Sequence, residues 1–221
     1  LNPTMKVGKQ IEEVVKRHQQ VSGAEATEKA IEMLTVVGMS NPDRRLKQYP
    51  HEFSGGLRQR AMIAIALALN PHLLIADEPT TALDVTIQAQ ILKVMTDLKD
   101  KFGTSIMLIT HDLGVIASMC SRVLVMYAGL IVEEGSIEDI FYRTAHPYTE
   151  GLLQSLPKPR EGREQLYSIP GNPPDLIAPP PGCPFVLRCT KAMRICMDTM
   201  PSLTETGEGH RCACWLLHAQ A

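Results

Sequence analysis

The sequence carries almost no net charge. Its 221 residues hold 22 Lys and Arg against 24 Asp and Glu, a balance of −2. Nucleic acid and anionic membranes both select basic surfaces, so neither is expected as a partner. Long apolar runs are missing as well. The longest, such as residues 61–69, fall far short of the roughly 20 that span a bilayer. No signal peptide opens the chain, and no Met does; Leu1-Asn2-Pro3 reads as the middle of a longer sequence. The phosphate-loop pattern, G-x-x-x-x-G-K followed by Ser or Thr, is absent, and so is any paired C-x2-C.

What is present is ordinary for a globular protein: 44% hydrophobic and 21% charged residues, with enough length for one large domain or two small ones. The chain is organised around Leu73-Leu74-Ile75-Ala76-Asp77-Glu78 and the segment Pro79–Asp84 that follows. A short, continuously apolar run ending in charge predicts a strand buried on both faces of a parallel sheet. Ligands of open α/β sheets bind beyond the carboxyl ends of the strands, where Asp77 and Glu78 fall. Successive strand side chains point to opposite faces, so the two carboxylates suit different tasks. One can hold Mg²⁺ through its water shell and the other can orient a water for attack on phosphate. The plainer alternative is an acidic helix start, with Thr80 and Asp84 as further caps.

Residues 6–38 predict two amphipathic helices, one with Val7, Ile11, Val14, Val15 and His18 on a face, the other ended by Gly38. Ser54-Gly55-Gly56 precedes a helix expected over 61–69. Ser54 suits an N-cap, and the glycines expose backbone N–H groups and a helix dipole to an anion or simply cap the helix. A further helix carries Ile87, Ile91, Met95 and Leu98 and stops at Gly103. The strand 105–110 then ends in His111-Asp112, which completes a βαβ unit and puts His111 at the same sheet edge as Asp77 and Glu78. There it serves either as a sensor of phosphate charge or as a capping group. Residues 122–135 predict an antiparallel hairpin about Ala128-Gly129, and 136–142 a short helix. Eleven of the sixteen prolines lie at or beyond Pro147, so from about residue 155 a loop-rich tail without regular elements is expected.

Ser54-Gly55-Gly56 with Arg60, Asp77-Glu78-Pro79, Ala82-Leu83-Asp84 and Thr110-His111-Asp112, in this order, resemble the motifs of the ATP-binding cassette (ABC) ATPases. The phrases Tyr49–Gly56, Ala76–Gln90, Val125–Gly129, His146-Pro147-Tyr148-Thr149 and Ile169–Pro174 are similar to the oligopeptide/dipeptide importer branch. The resemblance implies an α/β, P-loop NTPase (ABC ATPase) fold, incomplete at the N-terminus. Its expected parts are a helical subdomain with the signature motif over 1–69, a RecA-like core over 70–142 and a cysteine-containing C-terminal extension over 143–221. It implies Asp77 as the Mg²⁺ ligand, Glu78 as the catalytic base and His111 as the switch histidine. Ser54, Gly55 and Gly56 would contact ATP held by a second ATPase subunit in a head-to-tail dimer, and Asp84 would contact that partner. Two membrane permease subunits and, indirectly, a peptide-binding protein complete the implied assembly on the cytoplasmic face of the membrane. Leu57 stands where the family usually has a polar residue. The missing phosphate loop and Q-loop glutamine imply a C-terminal part of a longer ATPase, inactive alone and with apolar surface exposed. A non-catalytic assembly module derived from such an ATPase is the alternative.

Five of the six cysteines fall between Cys183 and Cys214. Without an export signal, metal binding outranks disulfides. The spacing C-x5-C-x6-C-x17-C of Cys183, Cys189, Cys196 and Cys214 departs from zinc ribbons, while iron–sulfur sites tolerate varied spacing. This tail resembles the importer segment in which four cysteines hold a [4Fe–4S] cluster. Cys212 could replace Cys214 as the fourth ligand, zinc is the alternative metal, and free structural thiols remain the other reading. Cys120 is expected to be a small buried hydrophobe.

Overall fold

The computed structural model describes residues 1–81, 83–156 and 167–218. Ala82, the first residue of the Ala82-Leu83-Asp84 motif, lies outside them, as do 157–166 and 219–221 of the expected tail. The chain packs as two units, Leu1–Met119 and Cys120–Ala221.

In the first unit the helices come first: α1 (Val7–His18), α2 (Gly23–Val36), the single turn α3 (Pro42–Arg45) and α4 (Gly55–Leu67). Ser22 and Glu25 start α2 with a reciprocal capping box, and Gly38 at φ +73° follows its end. Val7, Ile11 and Val15 of α1 pack with Ala30, Met33 and Leu34 of α2 and Ala61, Ala64 and Leu67 of α4. His18, placed on that apolar face by periodicity, is exposed instead, since it sits in the last turn beyond the packed stripe. Helix α4 begins at Gly55, not at Ala61, because Ser54 caps it and both glycines join its first turn.

After α4 come β1 (Leu73–Asp77), α5 (Val85–Phe102), β2 (Ser105–Ile109) and α6 (Leu113–Met119). Strands β1 and β2 pair in parallel, with Leu73 opposite Ser105 and Asp77 opposite Ile109. Between them α5 runs from its Asp84 cap to Gly103 at φ +63°, burying Ile91, Met95 and Leu98. Leu74, Ala76 and Ile106 pack against the helical core. The other sheet face is open: Leu73, Ile75, Met107 and Ile109 are 46–60% exposed. Burial on both faces, expected from the apolar runs, is therefore corrected to burial on one.

The second unit opens with β3 (Arg122–Tyr127) and β4 (Leu130–Ser136), a hairpin turned by Ala128 and Gly129, both in the left-handed region. Helix α7 (Ile137–Tyr142) follows behind a Ser136–Asp139 capping box, and then α8 (Pro147–Gln154). The tail is not free of regular elements. It forms α9 (Ile195–Asp198), β5 (Thr204–Gly207) and β6 (His210–Cys212), and β6 pairs with β4 to give an antiparallel sheet in the order β3-β4-β6-β5. Strands β5 and β6 both lie beyond Pro201, the last proline of the chain, so no proline interrupts either ladder. Tyr127, Tyr148 and Phe185 cluster with ring centroids 4.6–5.4 Å apart. Arg188 ties the preceding loop down, donating to the carbonyls of Ile169 and Pro170 and to the Tyr127 hydroxyl. Cys120 is half-buried, not enclosed.

Candidate active site

Parallel pairing puts the ends of β1 and β2 side by side, and with them Glu78 and His111. The Glu78 amide donates to the Ile109 carbonyl at 2.9 Å, which carries the ladder one residue past β1. Glu78 then takes φ +46°, a left-handed conformation uncommon for a residue with a side chain. Its Oε1 meets His111 Nδ1 at 2.8 Å, while its Oε2 accepts from the Thr81 hydroxyl at 2.7 Å. The Thr81 hydroxyl first, then His111, hold the Glu78 carboxyl below its ordinary pKa; Glu78 in turn holds the His111 imidazole above its own. The pair is exposed, most of all on the histidine side, so solvent screens it and it adds little to stability. The carboxylate is ionised and open to water, so it can accept a proton, and its lowered pKa makes it a weaker base than a free glutamate.

Asp77, at the last position of β1, is exposed next to this pair. Asp84 accepts from the Ile87 amide at 2.9 Å and caps α5, which is the plainer of the two roles foreseen for it. Ser54 caps α4 by accepting from the Leu57 amide at 3.4 Å. A Cβ on Gly55 would lie 3.3 Å from Leu83 Cδ2, and one on Gly56 would lie 2.6 Å from Ile87 Cγ2. The start of α4 thus packs on Leu83 and on the first turn of α5, and a side chain at position 56 would crowd Ile87.

Three contributors escaped sequence reasoning. Thr81 has a faint local signal, a hydroxyl three residues after the acid in a turn. Asp112 has the signal of an N-cap acid before a helix, but its contact with Gln88 has none, because the two meet across 24 residues at 3.0 Å. Burial raises the Asp112 pKa, but the amides of Val115 and Gly114 and the Gln88 side chain outweigh it and leave the carboxyl lowered. Asp112 thereby caps α6 and ties the His111 segment to α5.

In the second unit Cys183, Cys189, Cys196 and Cys214 line one small cavity together with His146. A Cβ on Gly182 would lie 2.2 Å from the Cys196 carbonyl, so glycine lets the two cysteine-bearing segments touch. Burial pushes the Cys183 thiol up to about 11 and raises Cys189 and Cys214 too. Cys212 is outside that lining; it lies in β6 opposite Glu133, and burial raises its thiol further. Among the described residues no group of three or more His, Cys, Asp or Glu is gathered so as to hold a metal ion. The metal site expected at the four cysteines therefore has its residues around one cavity but no preformed ligand cage.

Behind that cavity is a network that sequence reasoning did not find. Glu133 is fully buried and accepts from the amides of Ala145 (2.6 Å) and His146 (3.2 Å), from the Thr144 hydroxyl (3.0 Å) and from His210 Nε2 (2.9 Å). Burial pushes the His146 imidazole down to about 4, against a smaller pull from Glu133. It stays neutral at physiological pH, with Nδ1 accepting from the Tyr148 amide at 3.0 Å.

Residues 1–81 match the family described as ABC transporter, and residues 132–196 match Oligopeptide/dipeptide transporter, C-terminal region. The chain is 58% identical over 216 residues to a probable peptide ABC transporter ATP-binding protein of Sinorhizobium fredii, covering 97% of the chain and 64% of that relative. It is 56% identical over 222 residues to the oligopeptide transport ATP-binding protein of Bacillus subtilis, covering 100% of the chain and 62% of the relative. With the oligopeptide transport ATP-binding protein of Haemophilus influenzae the identity is 50% over 216 residues, covering 98% and 67%. The chain thus spans somewhat under two thirds of the length of the first two relatives. Among solved structures, it is similar to a bacterial ABC transporter cassette seen as a dimer. The TM-score is 0.54 at 29% identity, over 62% of this chain and 59% of that one. The same cassette in a post-hydrolysis state bound to ADP and phosphate is equally similar.

Proposed function

The chain belongs to the ATP-binding proteins of oligopeptide and dipeptide ABC transporters, with the ABC ATPase fold of the P-loop NTPases, and we propose that its residues hydrolyse ATP to drive peptide uptake. The observation that carries this is the Glu78–His111 pair at the ends of two parallel strands, with Asp77 beside it. Glu78 would accept a proton from the attacking water, and His111 would hold its carboxylate and respond to the γ-phosphate charge. Asp77 is exposed and free of the strand core, which fits a magnesium ion held through its water shell. Bound there, the ion would neutralise phosphate charge.

Ser54, Gly55 and Gly56 present the first turn of α4, whose N–H groups suit a phosphate held by a second ATPase subunit in a head-to-tail dimer. Asp84 would meet the same partner. Hydrolysis would then depend on dimer closure, since phosphoryl transfer needs mainly positioning and charge stabilisation. No helix among the described residues is long and apolar enough to cross a membrane. Attachment to two permease subunits at the cytoplasmic face, supplied by a peptide-binding protein, is the accompanying proposal. By function the chain divides into 1–69, 70–142 and 143–221, a division that cuts across its two packing units. A purely non-catalytic role draws no support from these observations. Glu78→Gln in the assembled transporter should keep ATP binding and lower turnover by roughly 10²–10⁴-fold; unchanged hydrolysis would sink the reading.

For the cysteines, we propose a [4Fe–4S] cluster on Cys183, Cys189, Cys196 and Cys214, with Cys212 left out; the support is that these four line one cavity. Such a group would staple loop segments that bury few apolar residues of their own. Its charge would also overcome the raised thiol pKa values. Anaerobically purified protein should absorb in the visible and contain iron, and Cys212→Ser should keep both; a colourless, iron-free sample would count against it.

A further inference from the structure

We propose that Thr81 is a positioning residue for hydrolysis, fixing the Glu78 carboxylate through its hydroxyl; this rests on the reading of Glu78 as the base. A carboxylate at a strand end normally swings freely about its side-chain torsions. Here its two oxygens have separate donors on separate elements, Thr81 on Oε2 at 2.7 Å and His111 on Oε1 at 2.8 Å. The Thr81 side comes from the turn itself. The Thr81 amide donates to the Glu78 carbonyl at 3.3 Å, so the hydroxyl is carried on a backbone already closed against Glu78. The His111 side comes from the segment just beyond β2, whose last residue, Ile109, also anchors the Glu78 amide.

The left-handed backbone at Glu78 gives this arrangement its purpose. That conformation turns the side chain out of the strand's alternation, and nothing in β1 then directs it. Thr81 and His111 supply the direction instead. A carboxylate has about four lone-pair sites, so two donors orient it and still leave room for a water. His111 reaches Glu78 from a different segment of the chain and would be the one to exchange partners when phosphate charge arrives, whereas Thr81, carried on the same closed turn as Glu78, stays with the acid throughout.

The test is steady-state ATP hydrolysis by the assembled transporter carrying Thr81→Val, Thr81→Ser or Glu78→Gln. Valine keeps the shape and removes the donor; serine keeps the donor. Thr81→Val should lower kcat about tenfold with KM for ATP within about twofold, because the lost hydrogen bond is to the carboxylate that would act on the attacking water and not to the nucleotide. Thr81→Ser should recover most of the loss, and adding Thr81→Val to Glu78→Gln should lower the residual rate no further. Unchanged kcat in Thr81→Val beside an inactive Glu78→Gln overturns the role of Thr81 alone. Equal loss in the valine and serine variants overturns it too, since that pattern belongs to backbone packing. An active Glu78→Gln overturns the base and its positioning residue together.

Discussion

Two glutamate–histidine pairs of nearly equal length occupy opposite surroundings. Glu78 and His111 meet at 2.8 Å in the open, and Glu133 and His210 meet at 2.9 Å inside the second unit. Distance alone does not separate them; solvent does. In the first pair water screens the attraction and leaves both groups within reach of a ligand. In the second, water is excluded and the carboxylate must be satisfied by protein, which it is, with four donors on one side chain. The exposed pair is open to a ligand. The buried pair is arranged to hold a loop, the one that carries Ala145 and His146 to the cysteine cavity.

That contrast is sharpest under mutation. Glu133→Ala would strand His210, two amides and a hydroxyl, and should cost the second unit about 3–5 kcal/mol in urea unfolding. Glu78→Gln should leave the same unfolding curve in place while removing turnover. A loss of stability from Glu78→Gln as large as that from Glu133→Ala would erase the distinction. Next in size is a pH effect in the buried region. His146 titrates near 6.5 in the unfolded chain and at about 4 in the fold. Between those values the unfolded state binds the extra proton, so stability is full above pH 6.5 and is lost as pH falls toward 4. The loss should be on the order of 3 kcal/mol, and unfolding midpoints of His146→Gln should be flatter over that window. Smallest is Gly56→Ala in the first unit. Alanine suits a helix better than glycine, but its Cβ would crowd Ile87, so a net loss of about 1–3 kcal/mol is expected, read from thermal unfolding. A gain in stability would show that α4 and α5 yield easily at the signature turn.

Local rules read much of the fold. The caps at Ser22, Ser54, Asp84 and Ser136, the glycine stops after α2 and α5, and the Ala128-Gly129 hairpin all follow from short-range chemistry. So does the edge that joins Asp77, Glu78 and His111, because a strand–helix–strand unit has one hand and one carboxyl end. The continuous apolar runs of β1 and β2 spoke for cover on both sides, yet one face is open. Periodicity reports which side chains suit burial, not whether a neighbour is there to bury them. The tail misled in the opposite sense: proline count spoke against strands, while β6 found an edge of the hairpin to pair with.

By itself, then, the amino-acid sequence determined the long amphipathic helices α1, α2 and α5, the parallel strand pair and the identity of the acid and histidine at its end. Tertiary structure decided what those residues touch. It put Thr81 on the free oxygen of Glu78, joined Gln88 to Asp112 across 24 residues, and joined Glu133 to His210 across 77. It also turned Cys214, and not Cys212, toward the cavity. The reason is range. Caps, turns and periods are settled within one or two turns of chain, whereas partners distant in sequence meet only after the strands have chosen their neighbours.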